Sequence, residues 1–142
     1  CHAAMSGLMG LGGSLAELSD QELEEVAREV ARYKEIRPVV QLGSRYQLSD
    51  LTGPGDLAAV QYTSTDGAQT VVFAWLPTRE LGREPRPVRL AAVDPGARYR
   101  DRESGREFAG ALLREYGLPL ELPPGDYASA LTVLDRIPNP AP

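Results

Sequence analysis

Tyr33-Lys34-Glu35-Ile36-Arg37-Pro38-Val39-Val40-Gln41 divides this chain into two unlike parts. Upstream of it, apolar residues recur at helical spacing; downstream, short β-branched and aromatic runs alternate with turn signals. Pro38 has no amide hydrogen, and its ring disfavours helical backbone at Arg37, so the stretch predicts a helix stop followed by a β-rich region. Arg37 would then lie against the negative end of the helix dipole.

Working back from Pro38, Ser19-Asp20-Gln21-Glu22 has the form of a capping box, which predicts a helix from about residue 20. Leu23, Val26, Ala27, Val30, Ala31 and Ile36 fall near one face. Glu24/Arg28 and Glu29/Arg32 are spaced for ion pairing on the solvated face, so the acidic run needs no catalytic explanation. Before the helix, Ala3 to Gly13 is small, apolar and uncharged, which predicts a buried strand and a close-packed turn. A dinucleotide fingerprint would need glycine or alanine at position 15, where Leu15 stands.

Working forward, Arg45-Tyr46-Gln47-Leu48 is the first expected strand, and Gly53-Pro54-Gly55 breaks the chain after it. Ala58 to Tyr62 and Thr70 to Leu76 flank Asp66-Gly67, the signature of a tight hairpin. The second of these is apolar in both phases of the two-residue repeat, so both its faces should be covered. Further strands are expected at Val88–Ala91, Ala97–Arg100, Leu118–Leu122 and Tyr127–Asp135, with a helical turn at Gly110–Leu113 closed by Gly117. The proline-rich end from Ile137 to Pro142 should fray. About seven short strands at such spacing predict a mainly β chain, an antiparallel Greek-key-like β-sandwich.

The 142 residues fit one ordinary domain, or one small domain and part of another. A net charge of -5 argues against nucleic acid or an anionic membrane as partner. Cys1 is the single cysteine and His2 the single histidine, so neither a disulfide framework nor a zinc site is built here. The uncharged N-terminal run is too short to span a bilayer and lacks a basic flank, and the chain reads as a piece of something longer or a processed product. Compartment stays open, with cytoplasm preferred to secretion.

The stretch from Tyr33 to Gln41, with Gly12-Gly13-Ser14-Leu15 before it and Gly43 and Tyr46 after it, resembles the C-terminal part of the α-galactosidases of glycoside hydrolase family 36. The likeness runs on through Ala59-Val60-Gln61-Tyr62, Val71 to Ala74, Leu90, Asp94-Pro95, Ala97-Arg98-Tyr99, Gly110, Gly117-Leu118 and Asp126 to Ala130. The chain departs from the family at Ser14, where Asp or Asn is common, and at Leu42, where His is. The resemblance implies that residues 1–41 are the last strand and helix of a catalytic (β/α)8 barrel. It makes 42–136 the C-terminal antiparallel sandwich and 137–142 a flexible tail.

The implied parent is a retaining glycosidase that removes terminal α-linked galactose, using two carboxyl groups about 5–5.5 Å apart. The family carries both as aspartates on earlier barrel strands, and no position here matches them. The expectation is therefore no catalytic residue, no cofactor and no metal in this segment, and no activity from it alone. Its partners would be the upstream barrel of the same protein and, through the parent, the α-galactoside, with the sandwich also open to a homo-oligomer contact. Met5 and Ser6, at the end of the expected barrel strand, are the candidate substrate-adjacent residues. Asp94 and Asp126 read as turn residues, and Trp75 and the tyrosines as core or interface. The competing reading is a stand-alone carbohydrate-binding or structural module, which an exposed row of aromatics on one sheet would favour.

Overall fold

A computed structural model describes residues 1–49, 56–80, 82 and 84–139. Its elements are α1 (His2–Met5), a short 3-10 turn (Leu15–Glu17), α2 (Asp20–Leu42), β1 (Ser44–Ser49), β2 (Ala58–Thr63) and β3 (Gln69–Leu76). They are followed by β4 (Arg98–Asp101), β5 (Glu107–Ala109), α3 (Gly110–Glu115) and β6 (Ala128–Ile137). The six strands form one sheet in the order β1-β2-β3-β6-β4-β5, antiparallel at every junction. The last strand thus returns to the middle.

β3 is the centre of the fold. Val71 and Phe73 face α2 in a core shared with Met5, Tyr33, Ile36, Val40, Val60, Tyr62 and Leu131. Val72 faces the other way, into a core with Leu90, Tyr99, Leu113, Leu118 and Leu134. The double-sided burial read from its sequence is therefore present, and each fully buried aliphatic side chain contributes about 1.5–3 kcal/mol.

The antiparallel β character matches the expectation, but the layer opposite α2 is not a second hydrogen-bonded sheet. Val88–Ala91 and Leu118–Leu122 are joined only by a bridge between Val88 and Leu118. Pro87 and Pro119 flank that bridge and cannot donate to a ladder, which limits it to one rung. Gln61, fully buried, ties this layer to the sheet by accepting from the Ala91 amide at 2.8 Å. β5 was not foreseen: Glu107 to Ala109 is short and charged, and it is held by pairing of Phe108 with Tyr99.

Three other expectations are corrected. First, Pro38 does not end the helix: α2 continues through it to Leu42. Ile36, Val39 and Val40 are all buried against the sheet, and that burial outweighs the backbone bond a mid-helix proline forfeits. Arg37 is consequently not at the helix end. Second, Ala3–Gly13 is not a strand in this chain. With no neighbouring strand to take its backbone groups, the run bonds to itself as α1, Met5 N to Cys1 O at 3.0 Å and Ser6 N to His2 O at 3.0 Å. Leu8 and Leu11 are left 86% and 50% exposed.

Third, Ile137 does not fray; it pairs with Arg98, and the Asn139 side chain donates to Gly96 O at 3.0 Å. The Gly53-Pro54-Gly55 break and Pro140–Pro142 lie outside the described residues.

Candidate functional site

The junction between the N-terminal segment and the sheet is where polar chemistry gathers. Ser19 caps α2 as its sequence predicts: its hydroxyl accepts from the Glu22 amide at 3.3 Å while the Glu22 carboxylate accepts from the Ser19 amide at 2.8 Å. These bonds hold the Glu22 carboxyl below its ordinary pKa. Two arginines then tie helix and strands together. Arg32 donates to Glu103 at 2.8 Å and to the Leu131 carbonyl at 3.2 Å, in place of the pairing with Glu29 that spacing suggests. Arg102 grips Asp135 with two bonds of 2.9 and 2.7 Å and reaches Glu35 on α2 at 3.5 Å. Burial alone would raise Asp135, but the bonds from Arg102 and Gln69 prevail and hold its carboxyl below the usual value.

Met5 is fully buried in the helix-side core, and the Ser6 hydroxyl donates to Ala3 O at 2.8 Å. The carbonyls of this segment are fixed from the fold: Tyr62 donates to Ser6 O and Tyr33 to Gly7 O at 2.9 Å. The two candidate residues are thus adjacent, one inward and one at the surface. Tyr33 and Tyr62 are core residues, as read from the sequence, whose hydroxyls also hold this segment; their signal is a lone tyrosine amid aliphatic core positions.

α2 has two apolar stripes, not one. Tyr33, Ile36, Val39 and Val40 are buried against the sheet. Leu23, Ala27 and Ala31 lie on a different side, roughly 170° away at 3.6 residues per turn, and the half-buried Val26 and Val30 flank the space between the two stripes. Ile36 therefore does not share the face expected of it. On the second stripe Ala27 and Ala31 are exposed and Leu23 is 36% exposed, and Leu42 at the helix end is 77% exposed.

A cleft of about 390 Å³ opens beside β6, between α1, α2 and the turn joining β4 to β5. His2 reaches into it, its Nδ1 2.9 Å from Ser129 Oγ, and burial, with Arg32 nearby, holds the imidazole below its ordinary pKa.

The remaining candidates take structural parts. Asp94 accepts from the Gly96 amide at 2.9 Å and from Arg136 at 2.7 Å, and Asp126 accepts from the Arg79 amide at 2.8 Å. Trp75 stacks on Phe73 with centroids 5.9 Å apart, and Tyr62 meets the same ring edge-on at 6.1 Å. The exposed tyrosines, Tyr116 and Tyr127, lie at the end of α3 and before β6, so they form no row on a sheet face. Among the described residues no group of three His, Cys, Asp or Glu is placed to hold a metal, and no helix is long and apolar enough to cross a membrane.

Residues 57–134 match the family model described as the glycosyl hydrolase family 36 C-terminal domain. The bifunctional alpha-galactosidase/sucrose kinase AgaSK of Mediterraneibacter gnavus is 31% identical over 117 residues, 82% of this chain and 12% of that protein. Alpha-galactosidase Mel36A of Lactobacillus acidophilus is 28% identical over 129 residues, 90% of this chain and 17% of its own length. The crystal structure of the alpha-galactosidase AgaB from Geobacillus stearothermophilus superposes with a TM-score of 0.87 at 29% identity, over 96% of this chain and 18% of AgaB. This chain therefore spans less than a fifth of the length of each of these relatives.

Proposed function

Because the chain belongs to the family of glycosyl hydrolase family 36 C-terminal domains, we propose that it is the C-terminal segment of a retaining α-galactosidase that releases terminal α-linked galactose from oligosaccharides. Residues 1–41 are the last strand and helix of the catalytic (β/α)8 barrel, and 42–136 form the domain packed behind it. The segment is structural: it seats the barrel and supplies neither catalytic carboxyl group.

The observation that carries this reading is the second apolar stripe of α2. A helix with one stripe buried under its own sheet and another only partly covered is suited to be shared between two bodies. Leu8, Leu11 and Leu15, each at least half exposed, add uncovered apolar surface to the same segment. In the assembled parent the Ala3–Gly13 run gains strand neighbours, and its backbone exchanges local bonds for ladder bonds. Met5 and Ser6 then stand at the end of the last barrel strand and border the α-galactoside. Among the described residues the exposed tyrosines form no row on a sheet face, the feature a stand-alone carbohydrate-binding module would use.

Two measurements test this. The purified chain should give no turnover of a chromogenic α-galactoside, and turnover would overturn the assignment of its carboxylates. Co-expressed with the preceding segment of its parent, it should co-purify and restore activity. Leu23→Asp with Val30→Asp should abolish both, and association that survives this pair refutes the shared-helix assignment.

A further inference from the structure

We propose that the cleft beside β6 binds a neutral polyhydroxylated ligand, a mono- or disaccharide. The cleft exists because the sheet splays. β3 pairs with β6 from Ala128 to Asp135, but β4 pairs only with Leu134 to Ile137, and its last contact is the bond from Arg102 N to Val133 O at 2.9 Å. The stretch from Ser129 to Thr132 therefore borders open space on that side. At about 390 Å³ the space is within the size range of small-molecule pockets.

An open strand edge invites two occupants, an added strand or a small molecule. The added strand is disfavoured, because Arg32 already satisfies the outward carbonyl of Leu131 at 3.2 Å and its side chain lies across the edge. The charges then select the kind of small molecule. Arg32 pairs with Glu103 at 2.8 Å and Arg106 with Glu121 at 3.4 Å, and Asp101 adds a third carboxylate to the lining, so the two arginines leave no surplus positive charge to hold a phosphate or carboxylate.

The Glu103 and Glu121 carboxylates are loosely held, with side chains 77% and 83% exposed, and exposed pairs of this kind are weak. Their oxygens and the guanidinium nitrogens are free to trade partners for adjacent hydroxyls, acceptor beside donor. The Thr132 hydroxyl adds a group that does either, on the face of β6 that Ala130 and Leu118 share, while Ser129 on the opposite face is held by His2. Alternating donors and acceptors above an apolar floor suit the two kinds of surface a pyranose presents. The lining comes from this chain's residues alone.

The test is a titration of the 142-residue chain with galactose, melibiose and raffinose, followed by amide ¹H–¹⁵N spectra, with inorganic phosphate as the control anion. Saturable shifts confined to Glu103–Arg106 and Ser129–Thr132 are expected from a saccharide and none from phosphate. The exposed substitutions Glu103→Ala and Glu121→Ala should leave the far-ultraviolet circular dichroism unchanged. Together they should weaken binding about tenfold or more, the equivalent of one charge-assisted hydrogen bond. No saturable shift, a stronger response to phosphate, or saccharide shifts that persist in the double variant would each overturn the proposal.

Discussion

Asp20–Arg32 and Tyr33–Leu42 are two halves of one unbroken helix, yet they are held by different forces. The first half has the better local chemistry: a capping box, acidic residues in the first turn and no proline. The second contains Pro38 in mid-helix and has no basic residue in its last turn. Still, Tyr33, Ile36, Val39 and Val40 are all buried in the second half, while no residue of the first half is. Local signals start a helix, and packing decides which part of it costs most to unfold.

The sharpest way to break this contrast is to empty the packed half. Ile36→Ala removes a side chain that is 1% exposed and should cost about 3 kcal/mol in urea unfolding. A loss below about 1 kcal/mol would mean the sheet does not hold the helix. Gly43→Ala strikes the joint between helix and sheet, where an added Cβ would lie 2.4 Å from the Thr63 carbonyl and 2.5 Å from that of Val39. Two backbone groups must give way there, so a loss of about 2 kcal/mol is expected, read in the same unfolding experiment.

Ser19→Ala sharpens the contrast from the other end. Removal of the cap should cost about 1 kcal/mol locally, read as faster amide exchange across Leu23–Val30 with little change at Tyr33–Val40. Equal acceleration in both halves would show that they open as one unit. Leu23→Ala should cost less than Ile36→Ala, no more than about 1 kcal/mol, because Leu23 is 36% exposed and belongs to none of the buried clusters.

The smallest effect concerns pH. His2 is held below its ordinary pKa of 6.5 by burial, so the unfolded chain binds its proton more tightly than the folded one. Its contribution is complete above that ordinary value and is lost as pH falls through the lower folded pKa. His2→Gln should flatten this part of the stability profile, and an unchanged slope would mean that His2 is not buried in the folded chain.

Much of the sheet was legible in the sequence because its signals are local. Asp66-Gly67 marked the β2–β3 hairpin, though its loop runs from Ser64 to Ala68 and only Gly67 takes a positive φ; the two-phase apolar pattern of β3 announced a strand covered on both faces, and Gly117 takes the positive φ expected of it. The site was less legible. Nothing local to Arg32 says that its partners are Glu103 and Leu131, because those contacts span 71 and 99 residues. The cleft is likewise invisible, since it comes from where β4 stops pairing with β6.

The sequence by itself determined where α2 begins, most of the strand positions and, through the resemblance carried from Tyr33 to Ala130, the family. Each rests on backbone preference or on side-chain order, which a linear chain displays. Tertiary structure decided that α2 runs through Pro38, that its apolar residues divide between two faces, and that Ala3–Gly13 coils on itself. Those outcomes depend on which surfaces are present to be covered: a proline's lost hydrogen bond is outweighed only where a sheet lies beneath the helix, and a strand forms only where another strand takes its hydrogen bonds.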